Sequence, residues 1–179
     1  MAEQTGLIHP LTEWVLKTAV EQVHQWHSKG LMLNMAINLS AQSLRDPSLV
    51  ESIETVLREA NVEPGYLTLE LTETAVMSDP KRALEILTAL AEKGVMLSID
   101  DFGAGYSSLS YLKRSPVDEI KIDRSFVMEM DGDNNDKVIV RSTIDLAHNM
   151  GLKVIAEGIE TDESWQTLKA LGCDMGQGY

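Results

Sequence analysis

Residues 80–105 read PKRALEILTALAEKGVMLSIDDFGAG, and this stretch decides the fold class. Pro80 stands where a helix starts, since its missing N–H falls among the donors that a first turn leaves unpaired anyway. Gly94 stands where that helix stops, supplying a left-handed cap. Val95–Ile99 then reads as a short apolar strand, which delivers Asp100 and Asp101 into a Gly-rich turn. The unit is helix, Gly, strand, polar end.

The same unit repeats outward in both directions. Upstream, Leu11–Lys29 carries apolar residues at helical spacing and stops at Gly30, and Leu31–Asn38 follows as a strand. A second helix is expected over Ser48–Ala60, leading through Pro64-Gly65 to a strand at Tyr66–Leu71. Downstream, Ser107–Lys113 reads as a short helix and Val117–Ile122 as the next strand. Helix Asp136–Met150 ends at Gly151, strand Lys153–Ala156 follows, and helix Glu163–Ala170 leads through Gly172 to Cys173–Met175. Alternation of this kind implies parallel strands joined by crossover helices, an α/β fold in a single domain over residues 1–179. Six strand ends carry polar or reactive groups: Asn38, Glu70 with Glu73, Asp100 with Asp101, Lys121 with Asp123, Glu157 with Glu160, and Gln177. An open doubly wound sheet gathers such groups at one switch point, so six polar ends favour a closed or nearly closed barrel. A complete barrel needs eight strands and about 250 residues, which leaves this chain two strands short.

Composition narrows the chemistry. The 179 residues suffice for one sizeable core, and 44% hydrophobic with 24% charged residues is ordinary for a globular protein. With 28 acids against 15 bases, the formal charge is −13. That excludes a general binder of nucleic-acid polymers, which needs a basic face. Cys173 is the only cysteine, so neither a disulfide framework nor a thiolate zinc site is available. No stretch is apolar enough to cross a bilayer, and the N-terminus is no signal peptide, so a cytoplasmic location is expected.

Several carboxylates gathered at one face need a cation between them to stay ionised, which points to a divalent-metal site. Asp100 and Asp101 are the most specific pair, because one could bridge two metals while its neighbour serves one. Gly103 and Gly105 let the backbone pass close to a ligand. Glu73 is expected in the loop after its strand, although a helix cap competes nearly evenly. Lys121 at a barrel mouth could orient water, neutralise an anion or form a Schiff base, with an ordinary ion pair as the plainer reading. His24 and His27 read as a surface or packing pair, and His9 and His148 have no catalytic neighbours. Residues 131–136 resemble the start of a calcium loop but lack its Gly and Glu, and read as a polar loop capping the next helix. Cys173 and the nine methionines read as core filler.

Taken in order, Asn38-Leu39-Ser40, Glu70-Leu71-Thr72-Glu73, the run Asp100 to Leu109, Lys121-Ile122-Asp123, Glu157-Gly158-Ile159-Glu160-Thr161 and Gln177-Gly178-Tyr179 resemble the EAL domain. That family comprises bacterial phosphodiesterases that linearise cyclic di-GMP to pGpG. The resemblance implies a modified (β/α)8 barrel with two Mg2+ or Mn2+ ions at its mouth. It implies that Asn38, Glu70 and Asp100 hold the first metal, and that Asp100 bridges to a second held by Asp101 and Glu157. Lys121 would position the attacking water or hydroxide, with Asp123 beside it. Glu73 would anchor the Gly103–Ser108 loop, Gln177 would line the site, and Glu160 would lie near the substrate. The Glu-Ala-Leu strand that names the family is absent, and with it a metal-ligating Glu, an Arg and the first two strands. A truncated chain with impaired catalysis is therefore expected, the alternative being a non-catalytic cyclic di-GMP-binding or protein-interaction module. Exposed strand edges predict a homodimer or higher oligomer, and sensory or cyclase domains are possible in a full-length parent.

Overall fold

The computed structural model describes residues 7–105, 109–130 and 134–178. It divides into two compact units, the first reaching to Leu97 with Arg114–Pro116, the second comprising Ser98–Lys113 and Val117 onward. Every strand pair within them is parallel, as helix-strand alternation requires.

In the first unit, helix α1 (Ile8–Ser28) turns Leu16, Ala19, Val20 and Val23 inward, one stripe at the three-and-four spacing of a helix. The stripe packs against strand β1 (Met35–Leu39) and helix α2 (Leu49–Glu59), which buries Leu49, Ile53 and Leu57 in the same way. β1 pairs with β2 (Leu67–Thr72) in a register that sets Asn38 beside Glu70. β2 is buried along five of its six residues, as a parallel strand covered on both faces should be. Helix α3 (Glu73–Met77) follows, then α4 (Pro80–Glu92), capped by the Asp79 side chain and opened by Pro80 as the sequence predicts. Gly94, at φ +84, ends it.

β1 is shorter than the expected Leu31–Asn38. Leu31, Met32 and Leu33 are about half exposed and lie outside the ladder. Leu31 N–H is spent on Trp26 O and Leu33 N–H on Leu31 O, while His27 Nε2 meets Leu33 O at 3.1 Å. These turn bonds occupy the backbone groups that a strand would have used.

The second unit is built on β3 (Met96–Phe102) from Ser98 onward, β4 (Glu119–Ile122), β5 (Lys153–Ile159) and β6 (Met175–Gly178), each paired with the next. Short helices α5 (Leu109–Leu112) and α6 (Arg124–Glu129) flank β4, and α7 (Asn134–Asn149) and α8 (Asp162–Ala170) flank β5. Ile120, Ile122, Val127, Val140, Ile144, Ala147, Val154, Ala156 and Leu168 are fully buried between strands and helices. Burying each large aliphatic side chain contributes about 1.5–3 kcal/mol.

β6 lies two residues later than the expected Cys173–Met175. Cys173 is buried with its thiol on Val154 O and Met175 O, which fits core filler, and burial pushes that thiol up. Asp174 occupies Val154 N–H with its side chain, so backbone pairing begins only at Met175. The expected helix Ser107–Lys113 is seen as Leu109–Leu112, and Ser107 and Ser108 lie outside the described residues. The polar loop at 131–136 falls partly outside them too, with α7 starting at Asn134.

Candidate metal centre

The second unit gathers Asp100, Asp101 and Glu157, each offering a carboxylate oxygen within 4.8 Å of the others. Lys121 stands among them. Its Nζ lies 2.6 Å from Glu157 Oε1 and 3.4 Å from Asp100 Oδ1, with only 4% of its side chain exposed.

Two irregularities in the sheet build this cluster. Between β3 and β4, Ile99 pairs with Ile120 and Phe102 with Ile122, so two residues, Asp100 and Asp101, stand opposite Lys121 alone. That is a β-bulge, and Asp101 takes φ +54 within it. In a regular strand adjacent side chains point to opposite faces, so the extra residue is what lets the Asp101 carboxylate stay within 4.8 Å of those of Asp100 and Glu157, while Lys121 pairs with the latter two. Aspartate tolerates the left-handed region better than most side chains. β5 repeats the device against β6. Ala156 pairs with Gly176 and Ile159 with Gly178, leaving Glu157 and Gly158 on the long side, Gly158 at φ +73. β4, the regular strand, carries the lysine between two bulged acidic strands.

The electrostatics follow from crowding. Burial, and next the charge of Asp100, push the Asp101 carboxyl above the usual range, with Asp123 and Glu157 adding to the effect. Asp123 is also pushed up by burial, but Ser125 outweighs this through its hydroxyl at 2.5 Å and its backbone N–H at 2.8 Å, so Asp123 lies below its ordinary value. Three acids beside one ammonium form a donor set in search of more positive charge, and hard oxygen ligands at this spacing suit a divalent cation.

The remaining expected site residues are placed as follows. Asn38, exposed on β1, and Glu70, buried on β2, are side by side in the first unit. Glu73 is not a loop residue: Thr72 caps α3 by accepting Ala75 N–H, and Glu73 is the helix's first residue, buried. Asp123 is not on the strand beside Lys121 but caps α6 one residue beyond it. Glu160 lies exposed just past β5, and Gln177 exposed within β6. Gly103, at φ +99, and Gly105 follow β3. His148, read as having no catalytic neighbour, meets Asp174 at 2.9 Å, away from the acidic cluster in sequence and element. What sequence reasoning missed is Ser125, although Asp123-x-Ser125 is a recognisable side-chain turn signal.

The family model described as EAL domain matches residues 1–179. The chain belongs to the EAL domain family. It is 44% identical to the bifunctional diguanylate cyclase/cyclic di-GMP phosphodiesterase MucR of Pseudomonas aeruginosa, over all of this chain and 26% of that protein. It is 38% identical to the cyclic di-GMP phosphodiesterase PdeR of Escherichia coli, over 99% of this chain and 27% of that protein. The chain thus spans about a quarter of the length of these curated relatives. Among solved structures, the MucR phosphodiesterase in complex with cyclic di-GMP superposes with a TM-score of 0.95 at 45% identity, covering 99% of this chain and 72% of that one. The EAL domain of Mycobacterium smegmatis DcpA matches with a TM-score of 0.89 at 41% identity, covering 96% and 78%. The fold class expected from the sequence, an incomplete (β/α)8-type α/β barrel, is that of this EAL family. No described helix is long and apolar enough to cross a membrane.

Proposed function

We propose that this EAL domain is a metal-dependent phosphodiesterase that hydrolyses cyclic di-GMP to linear pGpG. The observation that carries the reading is the pair of bulges that gathers the carboxylates of Asp100, Asp101 and Glu157, with the Lys121 ammonium against Asp100 and Glu157. Support comes from relatives named cyclic di-GMP phosphodiesterases. The cofactor is Mg2+ or Mn2+. Asp100, Asp101 and Glu157 would hold it, and the family resemblance adds Asn38 and Glu70. Bound divalent cations supply charge stabilisation on the phosphate oxygens and a more acidic attacking water.

The chain's own groups do the rest. Lys121 pairs with Asp100 and Glu157 and offers N–H donors to an incoming water or phosphate oxygen. Glu157 presents a carboxylate able to take the proton that water loses as its oxygen bonds to phosphorus. The P–O bond to the ribose breaks, and the leaving oxygen takes up a proton. Asp123, held by Ser125, orients Asp101 through their shared hydrogen bond. Glu73, Gly103 and Gly105 shape the loop after β3, and Gln177 and Glu160 contact the nucleotide.

The 179 residues contain no Glu-Ala-Leu sequence. On that observation we hold turnover by this chain to be slower than that of a domain carrying the motif, with a non-catalytic binding module as the second reading. The test is incubation with cyclic di-GMP and Mn2+ or Mg2+, following pGpG by chromatography. Product supports the enzyme, ligand binding without product selects the module, and neither overturns both. A homodimer or higher oligomer is part of the proposal, and a concentration-independent monomer by light scattering would refute it. Cytoplasmic location and attached sensory or cyclase domains belong to the same reading.

A further inference from the structure

Gly158 lies within the β5 bulge and Gly103 directly follows the strand that carries the β3 bulge, and both glycines press against the same short helix. A Cβ placed on Gly103 would lie 3.1 Å from Phe126 Cε2. One placed on Gly158 would lie 2.7 Å from Arg124 Cβ, 3.3 Å from Arg124 Cα and 3.5 Å from Met128 Cγ. Arg124, Phe126 and Met128 all belong to α6, whose cap is Asp123, itself the hydrogen-bond partner of Asp101. The helix therefore touches the site's framework at three points: the turn after Asp101, the residue after Glu157, and Asp101 itself.

We propose that the first turn of α6 is the template that sets the separation of the three carboxylates, with Gly158 and Arg124 as positioning residues for Glu157. The physical reason lies in the bulge. An extra residue on β5 frees Glu157 from the alternation of the strand, so the ladder alone no longer fixes its direction. Something outside the ladder must stop the bulge from relaxing outward, and the backbone and Cβ of Arg124 stand where that movement would go. Gly158 allows this contact because it lacks the atom that would collide and because φ +73 suits glycine. Arg124 acts here through its Cα and Cβ, not through its charge. The inference rests on the metal-centre reading for its function, but its geometry stands without it.

Gly151 provides the control. It has φ +78, nearly that of Gly158, yet a Cβ there meets nothing within 4 Å. Alanine at either position costs the same backbone strain, and only at Gly158 does it also push on α6. The experiment compares Mn2+ binding by titration in four proteins: the wild-type chain, Gly151→Ala, Gly158→Ala, and Gly158→Ala combined with Arg124→Gly. The expected result is wild-type affinity for Gly151→Ala and at least a tenfold loss for Gly158→Ala. Substantial recovery is expected in the double variant, because Arg124→Gly removes the Cβ that the new methyl strikes.

A folded Gly158→Ala protein with wild-type affinity would overturn the proposal, and so would a double variant no better than the single one. If the wild-type chain bound no Mn2+, the metal reading would fall. The Lys121–Glu157 distance in a crystal structure of Gly158→Ala would then decide this inference by itself. Separation beyond hydrogen-bond reach would support it, and an unchanged contact would overturn it.

Discussion

Replacing Lys121 by Met removes the one ammonium that faces both Glu157 and Asp100 while keeping an unbranched side chain of similar bulk. The lysine side chain is 4% exposed and its partners 14% and 18%, so the pairs are shielded from water but not sealed. Breaking a buried pair by deleting one partner costs about 3–5 kcal/mol, because the survivor keeps its desolvation penalty. Residual solvent on the two carboxylates places this case at the lower end, about 3 kcal/mol. For a chain of this size that corresponds to a fall in Tm of about 6–12 °C at pH 7 in the absence of divalent cation. The sign is then testable twice over. Added Mn2+ should shrink the deficit of the variant, since the cation replaces the missing charge, whereas a pure packing loss would be unmoved by it. Thermal denaturation at pH 7, with and without Mn2+, measures both the deficit and its recovery. A variant as stable as wild type at pH 7 without cation would refute the view that Lys121 balances the cluster. An equal deficit with and without Mn2+ would assign the loss to packing instead.

Further outcomes concern other parts of the molecule. Asp101→Asn should lose pGpG formation, since the amide lacks the negative charge that a carboxylate offers a divalent cation; turnover surviving the change would contradict the two-metal assignment. Gly178→Ala should lower Tm well beyond Gly30→Ala, because a Cβ on Gly178 would run into the backbone carbonyl of Ile159, whereas one on Gly30 meets nothing within 4 Å. Equal Tm changes would show that β5 and β6 can separate freely there. At Asp174, burial pushes the carboxyl up, but hydrogen bonds from His148 and Val154 N–H outweigh it and hold it below its ordinary 3.8. A carboxyl lowered in the folded state adds stability that is fully present above about pH 4 and is lost as pH falls through the folded value. The Tm gap between wild type and Asp174→Asn should accordingly be widest near pH 7 and close toward pH 3; a pH-independent gap would assign the effect elsewhere.

The sheet and its helices were legible because glycine punctuates them. Gly94, Gly151 and Gly172 each follow a helix at positive φ, and a strand begins within a few residues of each. Leu31–Leu33 misled because an apolar run states nothing about where its N–H groups go, and here they close turns behind α1. Cys173 misled for a related reason: the run began on time, but the Asp174 side chain took the first ladder position. At the site, the residue types were readable from strand-end placement. Their arrangement was not, because a bulge is defined by counting residues against a neighbouring strand, and the sequence of one strand holds no such count. Asp101 at φ +54 left a faint trace in being an aspartate followed closely by glycine. Asp123 as a cap was readable from Ser125 two residues on.

The bulges make the site a matter of arithmetic as well as chemistry. β3 spends three steps from Ile99 to Phe102 where β4 spends two from Ile120 to Ile122, and β5 does the same against β6. Inserting a single residue into β4 beside Lys121 would even the count while leaving every acid, the lysine and both glycines in the chain. Regular alternation would return, and Asp100 and Asp101 would face opposite sides of the sheet. A comparison of side chains alone would pass such a protein as intact. Its loss would be visible only in the spacing between strands, which makes insertions and deletions, more than substitutions, the changes to watch in this family.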